Sequence, residues 1–220
     1  MKRLLIAAIA ATVLNTTASA ENCASNFSGF YAGVQAGMNS ANSTYKIETH
    51  PDPDKASYEA QSFLGGLFAG YCMGIGNCAY VGGEAYVNFH DTNIKYLNNN
   101  VVKWTAKNNV NCGAKVRLGY TVSPQAMIFL GLGAEYAQWQ LNYEITARGA
   151  PAPRINTKRT LAFAPSVGAD LFMTKNIFVR AEYTYVAPFN VNMKEPGGRE
   201  RSIDHKINLH RFTLGLGYKF

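Results

Sequence analysis

Eight charged side chains sit at every-second-residue positions inside otherwise apolar runs: Glu84, Lys115, Arg117, Glu135, Asp170, Arg180, Glu182 and Arg211. Four are acids and four are bases, and their neighbours of the same parity are mostly small or polar. Opposite charges among small residues suit a crowded, narrow interior in which a carboxylate meets a guanidinium as a fork. The chemistry predicted is a central ion network, with no reacting group in it. The histidines are His50, His90, His205 and His210, and only His90-Asp91 forms a neighbour pair that suggests general-base work at an outer rim. No serine lies at strand spacing from His90 or His210, so a nucleophile and base on one strand are not expected. A haem or other ligand surface on His205 and His210 is the alternative use of these side chains, and no cofactor or metal is expected.

The cysteines could do redox chemistry in an exported chain. Cys72 and Cys78 flank the short segment Met73-Gly74-Ile75-Gly76-Asn77. If that segment closes a hairpin, their Cα atoms come within the roughly 4.4–6.8 Å a disulfide requires, and the compartment favours the bridge over two reduced thiols. Cys112 falls on an apolar face and is expected to meet lipid. Cys23 is either free or a competitor for Cys72 or Cys78. With no histidine close to this turn in sequence, a metal site there is not expected.

The elements that must position these groups read as strands. Val81, Gly83, Ala85, Val87 and Phe89 alternate with Gly82, Glu84, Tyr86, Asn88 and His90. The same period of two runs through Asn109–Tyr120, Thr160–Leu171, Ile177–Val186 and Arg211–Phe220. It is weaker in Gly29–Asn39, Ala60–Tyr71 and Met127–Glu144, which makes eight strands, and no helical period competes. The gaps Cys72–Cys78, Thr121–Ala126 and Met173–Asn176 are short. Those at Ser40–Glu59, Asn93–Trp104, Ile145–Thr157 and Ala187–Ile203 are long. Short turns at one end and long loops at the other are the asymmetry of outer-membrane barrels.

The polarity of the two faces separates a membrane barrel from a soluble, lipocalin-like one. The apolar faces of the five clear strands carry no Lys or Arg, and charge facing lipid costs about 2–4 kcal/mol at the midplane. The charges all lie on the small-residue face, so the polar side is the inside. The fold class predicted is all-β: an eight-stranded, antiparallel, up-and-down transmembrane β-barrel. At eight strands side chains fill the interior, so no wide aqueous pore is expected.

At the N-terminus Lys2 and Arg3 precede the apolar run Leu4–Leu14 and the small-residue site Ala18-Ser19-Ala20, the pattern of a secretory signal peptide. The run is too short to span a bilayer as a helix. A lipid-modified Cys23 does not fit the preceding Glu21-Asn22. The expected organisation is a signal peptide at 1–20, a short periplasmic segment at 21–28 and the barrel at 29–220. The formal charge of +7 loses two positive charges with the signal. The mild basic bias that remains is no nucleic-acid signature.

The chain ends in Phe212-Thr213-Leu214-Gly215-Leu216-Gly217-Tyr218-Lys219-Phe220. Phe212, Leu214, Leu216, Tyr218 and Phe220 resemble the C-terminal signal read by the barrel-assembly machinery. Gly29-Phe30-Tyr31-Ala32-Gly33-Val34-Gln35-Ala36-Gly37, Gly83-Glu84-Ala85 and Arg180-Ala181-Glu182-Tyr183-Thr184-Tyr185 resemble strands of the opacity-protein-like, or porin-family, surface antigens, which are related to the OmpA N-terminal barrel. The resemblance spans the mature chain and implies a bacterial outer-membrane location without naming a role. Its members include adhesins, serum-resistance proteins, structural barrels and a few haem binders. It carries over no catalytic residue, and no peptidoglycan-binding domain is expected after Phe220.

The expected function is a non-enzymatic surface barrel, structural or adhesive, working through its long loops. The alternatives are a narrow ion-conducting porin and, behind it, a haem binder or a lipid-modifying barrel enzyme. Candidate loop contacts are Arg148, Arg154, Lys158, Arg159, Lys194, Arg199 and Arg201. Their charge suits lipopolysaccharide phosphates or acidic host surface molecules, and ordinary solvated charge remains the commonest use of such residues. Outer-membrane lipid is an expected partner and nucleic acid is not. Tyr136, Tyr183, Tyr185, Tyr218 and Phe220 fit interfacial girdles.

Overall fold

The computed structural model describes residues 27–47, 56–75, 78–98, 102–145, 154–194 and 202–220. The strands are β1 (Gly29–Ile47), β2 (Ala56–Ile75), β3 (Ala79–Asn98), β4 (Val102–Ser123), β5 (Ala126–Ile145), β6 (Arg154–Phe163), β7 (Ser166–Phe172), β8 (Ile177–Lys194) and β9 (Ser202–Lys219). All pairings are antiparallel. The sheet closes on itself because β1 pairs with both β2 and β9 while β4 pairs with β5.

β6 and β7 hold one register against β5, with Ala134 opposite Phe163 and Gly131 opposite Ser166. They are two halves of a single stave, so the molecule is an eight-stave, antiparallel β-barrel. The uninterrupted strand expected over Thr160–Leu171 is therefore corrected. Pro165 has no N–H to give to a ladder, and the strand is interrupted at Ala164-Pro165.

Alternation decides which way each residue points. On β1, Phe30, Val34 and Met38 face outward, while Tyr31, Gln35 and Asn39 are buried in the lumen. The outward apolar belt continues through Leu67 and Tyr71 on β2, Val116 and Leu118 on β4, Leu130 and Leu132 on β5, and Leu214 and Leu216 on β9. From Phe30 to Met38 the belt on β1 is about nine residues, the length a tilted strand needs to cross hydrocarbon.

The strands do not stop where the belt stops. β1 runs on to Ile47 and β3 to Asn98, and β4 begins at Val102. Much of what the sequence offered as the long loops 40–59 and 93–104 is strand. At about 3.4 Å per residue and a tilt near 40°, the eight residues after Asn39 on β1 carry the wall about 20 Å past the belt. The physical reason is that inward and outward polarity need not alternate above the membrane, so the strand loses its period-two signature there.

The start of β1 and the end of β9 meet at the short-turn end. Phe220 donates its N–H to the Phe30 carbonyl at 2.9 Å, and Gly29 turns the chain into β1 at φ 126°, a conformation suited to glycine.

Candidate functional site: the filled lumen and the long-loop rim

The centre of the lumen holds an ion cluster whose members come from four strands. Glu84 of β3 lies directly opposite Lys115 of β4, and Asp170 of β7 directly opposite Arg180 of β8. Barrel closure then brings the two pairs together. Arg180 donates from Nε and Nη2 to Asp170 at 2.7 and 3.0 Å, and from Nη1 to Glu84 at 2.5 Å. Arg117 donates from Nη1 to Glu84 at 3.1 Å and from Nη2 to Asp170 at 2.8 Å. Lys115 lies 3.1 Å from Glu84 and also pairs with Glu182. Tyr31 donates its hydroxyl to Glu84 at 2.8 Å and accepts from Arg117 at 2.9 Å.

Three carboxylates thus face three cations. Burying a lone charge costs several kcal/mol, and mutual attraction repays this only where every charge has good partners. Here all six side chains are buried and each carboxylate receives at least one cation. The guanidiniums also lie over aromatic faces, Arg117 at 3.7 Å from the Phe129 centroid and Arg180 at 4.4 Å from that of Phe68, a favourable contact in a desolvated place.

Glu135 and Arg211 form a separate pair. Arg211 donates to the two carboxylate oxygens at 2.6 and 3.1 Å, and its Nε donates to Asn39 at 2.8 Å. Tyr86 donates to Glu135 at 3.0 Å. The structure therefore groups the eight residues singled out by parity as six and two. Tyr31, Asn39 and Tyr86, which sequence reasoning left out, complete both groups. Their signal was parity with Gln35 or Glu84, hidden because tyrosine is at home on either face.

Tiers of other side chains lie on both sides. Toward the short turns Phe27, Tyr31, Phe68, Cys72, Tyr80, Met127, Phe172 and Phe178 form a buried cluster, with Phe27 and Phe172 edge-on at 4.9 Å. Toward the long loops Gln35 donates to Asn88 at 2.6 Å, and His90 bonds Thr92 at 2.9 Å and Asn111 at 3.2 Å. Beyond them Ala41, Ala137, Trp139, Ala162, Ala164, Val186, Ile207 and Leu209 form an apolar cluster. A cavity lined by His90, Asn108, Asn111 and Trp139 leaves room for about one water.

Several sequence expectations change here. His90 and Asp91 do not act together: His90 is buried inside the lumen, while Asp91 is exposed and lies 3.5 Å from Lys107. Successive strand residues point to opposite faces, which is why they part. His210 bonds the Tyr183 hydroxyl at 2.6 Å and packs against Tyr185. His205 lies on β9 and His50 outside the described residues.

The bridge expected between Cys72 and Cys78 is corrected too, since the two are not joined. Cys72 pairs across the hairpin with Gly82, and the last pair before the turn is Ile75 with Ala79. Cys78 is therefore displaced four residues along its strand from the position opposite Cys72, about 13 Å at strand rise and too far for a disulfide. Cys72 faces the lumen, Cys112 is exposed on the outer wall, and Cys23 lies outside the described residues.

Arg154, Lys158 and Arg159 stand on β6 and Lys194 ends β8, so these four are strand residues rather than loop residues. Arg148, Arg199 and Arg201 lie outside the described residues. Phe212, Leu214, Leu216, Tyr218 and Phe220 all face outward.

Residues 6–220 match the family described as Outer membrane protein beta-barrel domain. The chain belongs to that family. This outer-membrane barrel is 21% identical over 248 residues to the 31 kDa outer-membrane immunogenic protein of Brucella melitensis, with both chains covered in full. The outer-membrane protein OprG of Pseudomonas aeruginosa has a similar fold at TM-score 0.52 and 14% identity, covering 88% of this chain and 96% of that one. Ail, the attachment invasion locus protein of Yersinia pestis, aligns at TM-score 0.45 and 16% identity over 88% of this chain and 99% of its own. The outer-membrane barrel lies in the bacterial outer membrane, where the belt of outward apolar residues meets lipid. Short turns of such barrels face the periplasm, which turns the long-loop rim to the outside.

Proposed function

We propose that this barrel is a non-enzymatic surface protein, adhesive or structural, that meets its partners at the rim above the membrane. The observation that carries the reading is the filled lumen. The charged side chains at its centre are spent on one another, with the aromatic tier below and the apolar tier above. A conducting pore would keep such charges hydrated and facing a passage.

His90, the residue a lipid-modifying reading would use, is held in hydrogen bonds inside the wall. The rim is cationic, with Lys158 and Arg159 on β6, and fits lipopolysaccharide phosphates or acidic host molecules. The Brucella relative is named an outer-membrane immunogenic protein, which supports exposure of this surface. Export by a signal peptide at 1–20, and recognition of the outward row Phe212–Phe220 by the assembly machinery, complete the proposed biogenesis.

The test is adhesion of cells displaying the barrel to surfaces coated with an acidic polymer, alongside planar-bilayer recordings of purified protein. The expected result is adhesion lost in Lys158→Glu with Arg159→Glu, and no discrete conductance steps. Adhesion unchanged by charge reversal would remove the rim from the function, and conductance steps would replace the reading with a pore.

A further inference from the structure

The barrel wall has a seam along which β6 and β8, close to each other at its base, share no ladder. β7 pairs with β8 from Phe172↔Phe178 up to Ser166↔Thr184. One more backbone bond follows, from Tyr185 N–H to the Pro165 carbonyl at 2.9 Å. Above it β6 pairs with β5 alone, and β8 pairs on that side with nothing among the described residues while it keeps β9.

Two prolines stand at this level, one on each side of the seam. Extending the β7–β8 register places Ala187 opposite Phe163 and Pro188 opposite Ala162. Pro165 cannot return the bond it accepts, so the ladder loses a rung there, while the donor that Pro188 lacks would have pointed to β9. The β8–β9 register also shifts between Val186 and Phe189, at the level of Pro188.

The seam starts at the upper margin of the apolar belt and runs on above it. On β6 the outward residues Phe163 and Leu161 are apolar and exposed, and the next, Arg159, is charged. Across the ladder Leu161 faces Tyr136 and Arg159 faces Gln138. An open sheet edge is excluded from lipid because its peptide groups find no partner there. Above the belt the restriction lifts, and an unpaired edge is a template for another strand. Ala164 N–H bonds the Gly133 carbonyl, so even-numbered β6 residues turn their peptide groups to β5. Phe163, Leu161 and Arg159 turn theirs to the gap.

We propose that this notch between β6 and β8 accepts an extended, acidic polypeptide segment from a partner protein by strand addition. Backbone groups are what the notch leaves open, so the ligand is a peptide backbone. Its sign follows from the edges: Arg154–Phe163 holds three cations and no acid, and Ala187–Lys194 holds Lys194 and no acid. Like charge disfavours a second copy of this chain on the same edge. The proposal deepens the adhesive reading and rests on it for the orientation of the rim.

The test uses the full-length barrel in detergent and a fluorescent ten-residue peptide of alternating Thr and Glu. Controls are the same peptide N-methylated at every second residue and one with Lys in place of Glu. A double variant, Phe163→Cys with Ala187→Cys, closes the seam when oxidised and reopens it when reduced. Saturable binding of the Thr/Glu peptide to wild type and to the reduced variant is expected. Binding at least tenfold weaker is expected for both control peptides and for the oxidised variant.

Equal binding of the N-methylated peptide, equal binding to the oxidised variant, or no binding at all would overturn strand addition. If the peptide fails while cell adhesion still depends on Lys158 and Arg159, the seam is wrong and the adhesive reading stands. If the peptide binds while cells do not adhere, the seam stands without adhesion.

Discussion

Asp170 and Arg180 face each other across the β7–β8 ladder, and their side chains close a two-bond fork at 2.7 and 3.0 Å inside the barrel. Asp170 also takes a bond from Arg117, so one carboxylate holds two guanidiniums that have no access to bulk water.

Replacing that carboxylate should therefore be costly. Asp170→Asn leaves Arg117 and Arg180 sharing Glu84, and breaking a buried ion pair costs about 3–5 kcal/mol. The temperature at which the compact band converts to the unfolded band on a semi-native gel should fall clearly, as it should in Arg117→Ala, with outer-membrane assembly retained. An unchanged conversion temperature in both variants would mean the cluster does not hold the barrel together.

The pair Glu135–Arg211 should behave as an independent unit. A double-mutant cycle on Glu135→Gln and Arg211→Leu should give a coupling of about 1–3 kcal/mol, and Arg211→Leu with Asp170→Asn a coupling near zero. Strong coupling in the second cycle would show that the lumen charges form one network instead of two.

Gly217 tests the aromatic tier. A Cβ at this position would run into the Phe178 ring, directly opposite on β8. Gly217→Leu should destabilise the barrel by about 1–3 kcal/mol, the usual cost of overpacking, and Phe178→Ala in the same chain should restore part of the loss. Additive losses in the double variant would place the effect in β9 itself rather than in the ring contact.

The cysteine assignment predicts a labelling pattern. In folded protein an apolar maleimide should modify Cys112 on the outer wall and leave the lumen thiol Cys72 untouched until unfolding. Mass spectrometry under non-reducing conditions should find no peptide linking Cys72 to Cys78. Recovery of that linked peptide would require a shifted β2–β3 register.

Sequence alone determined the barrel type and the direction in which its faces point. Alternation at Val81–His90 or Ile177–Val186 is a local property, and in a lipid setting the charged face has only the inside to go to. The residues of the central cluster were legible for the same reason. Their partners were not: Arg180 meets Glu84 across 96 residues, a meeting set by the closure of the ring and by the register of each ladder. Register also separated Cys72 from Cys78, which closeness in sequence had brought together. The strands' extension above the belt lost its signature because the outward face no longer had to be apolar and the inner face no longer had to be polar. The seam was decided by tertiary structure as well, because the donor that Pro165 lacks matters only after closure sets β8 beside it. Polarity along one strand is a property of that strand, whereas a partner across the lumen or a missing rung belongs to two strands at once, and only the folded barrel fixes which two.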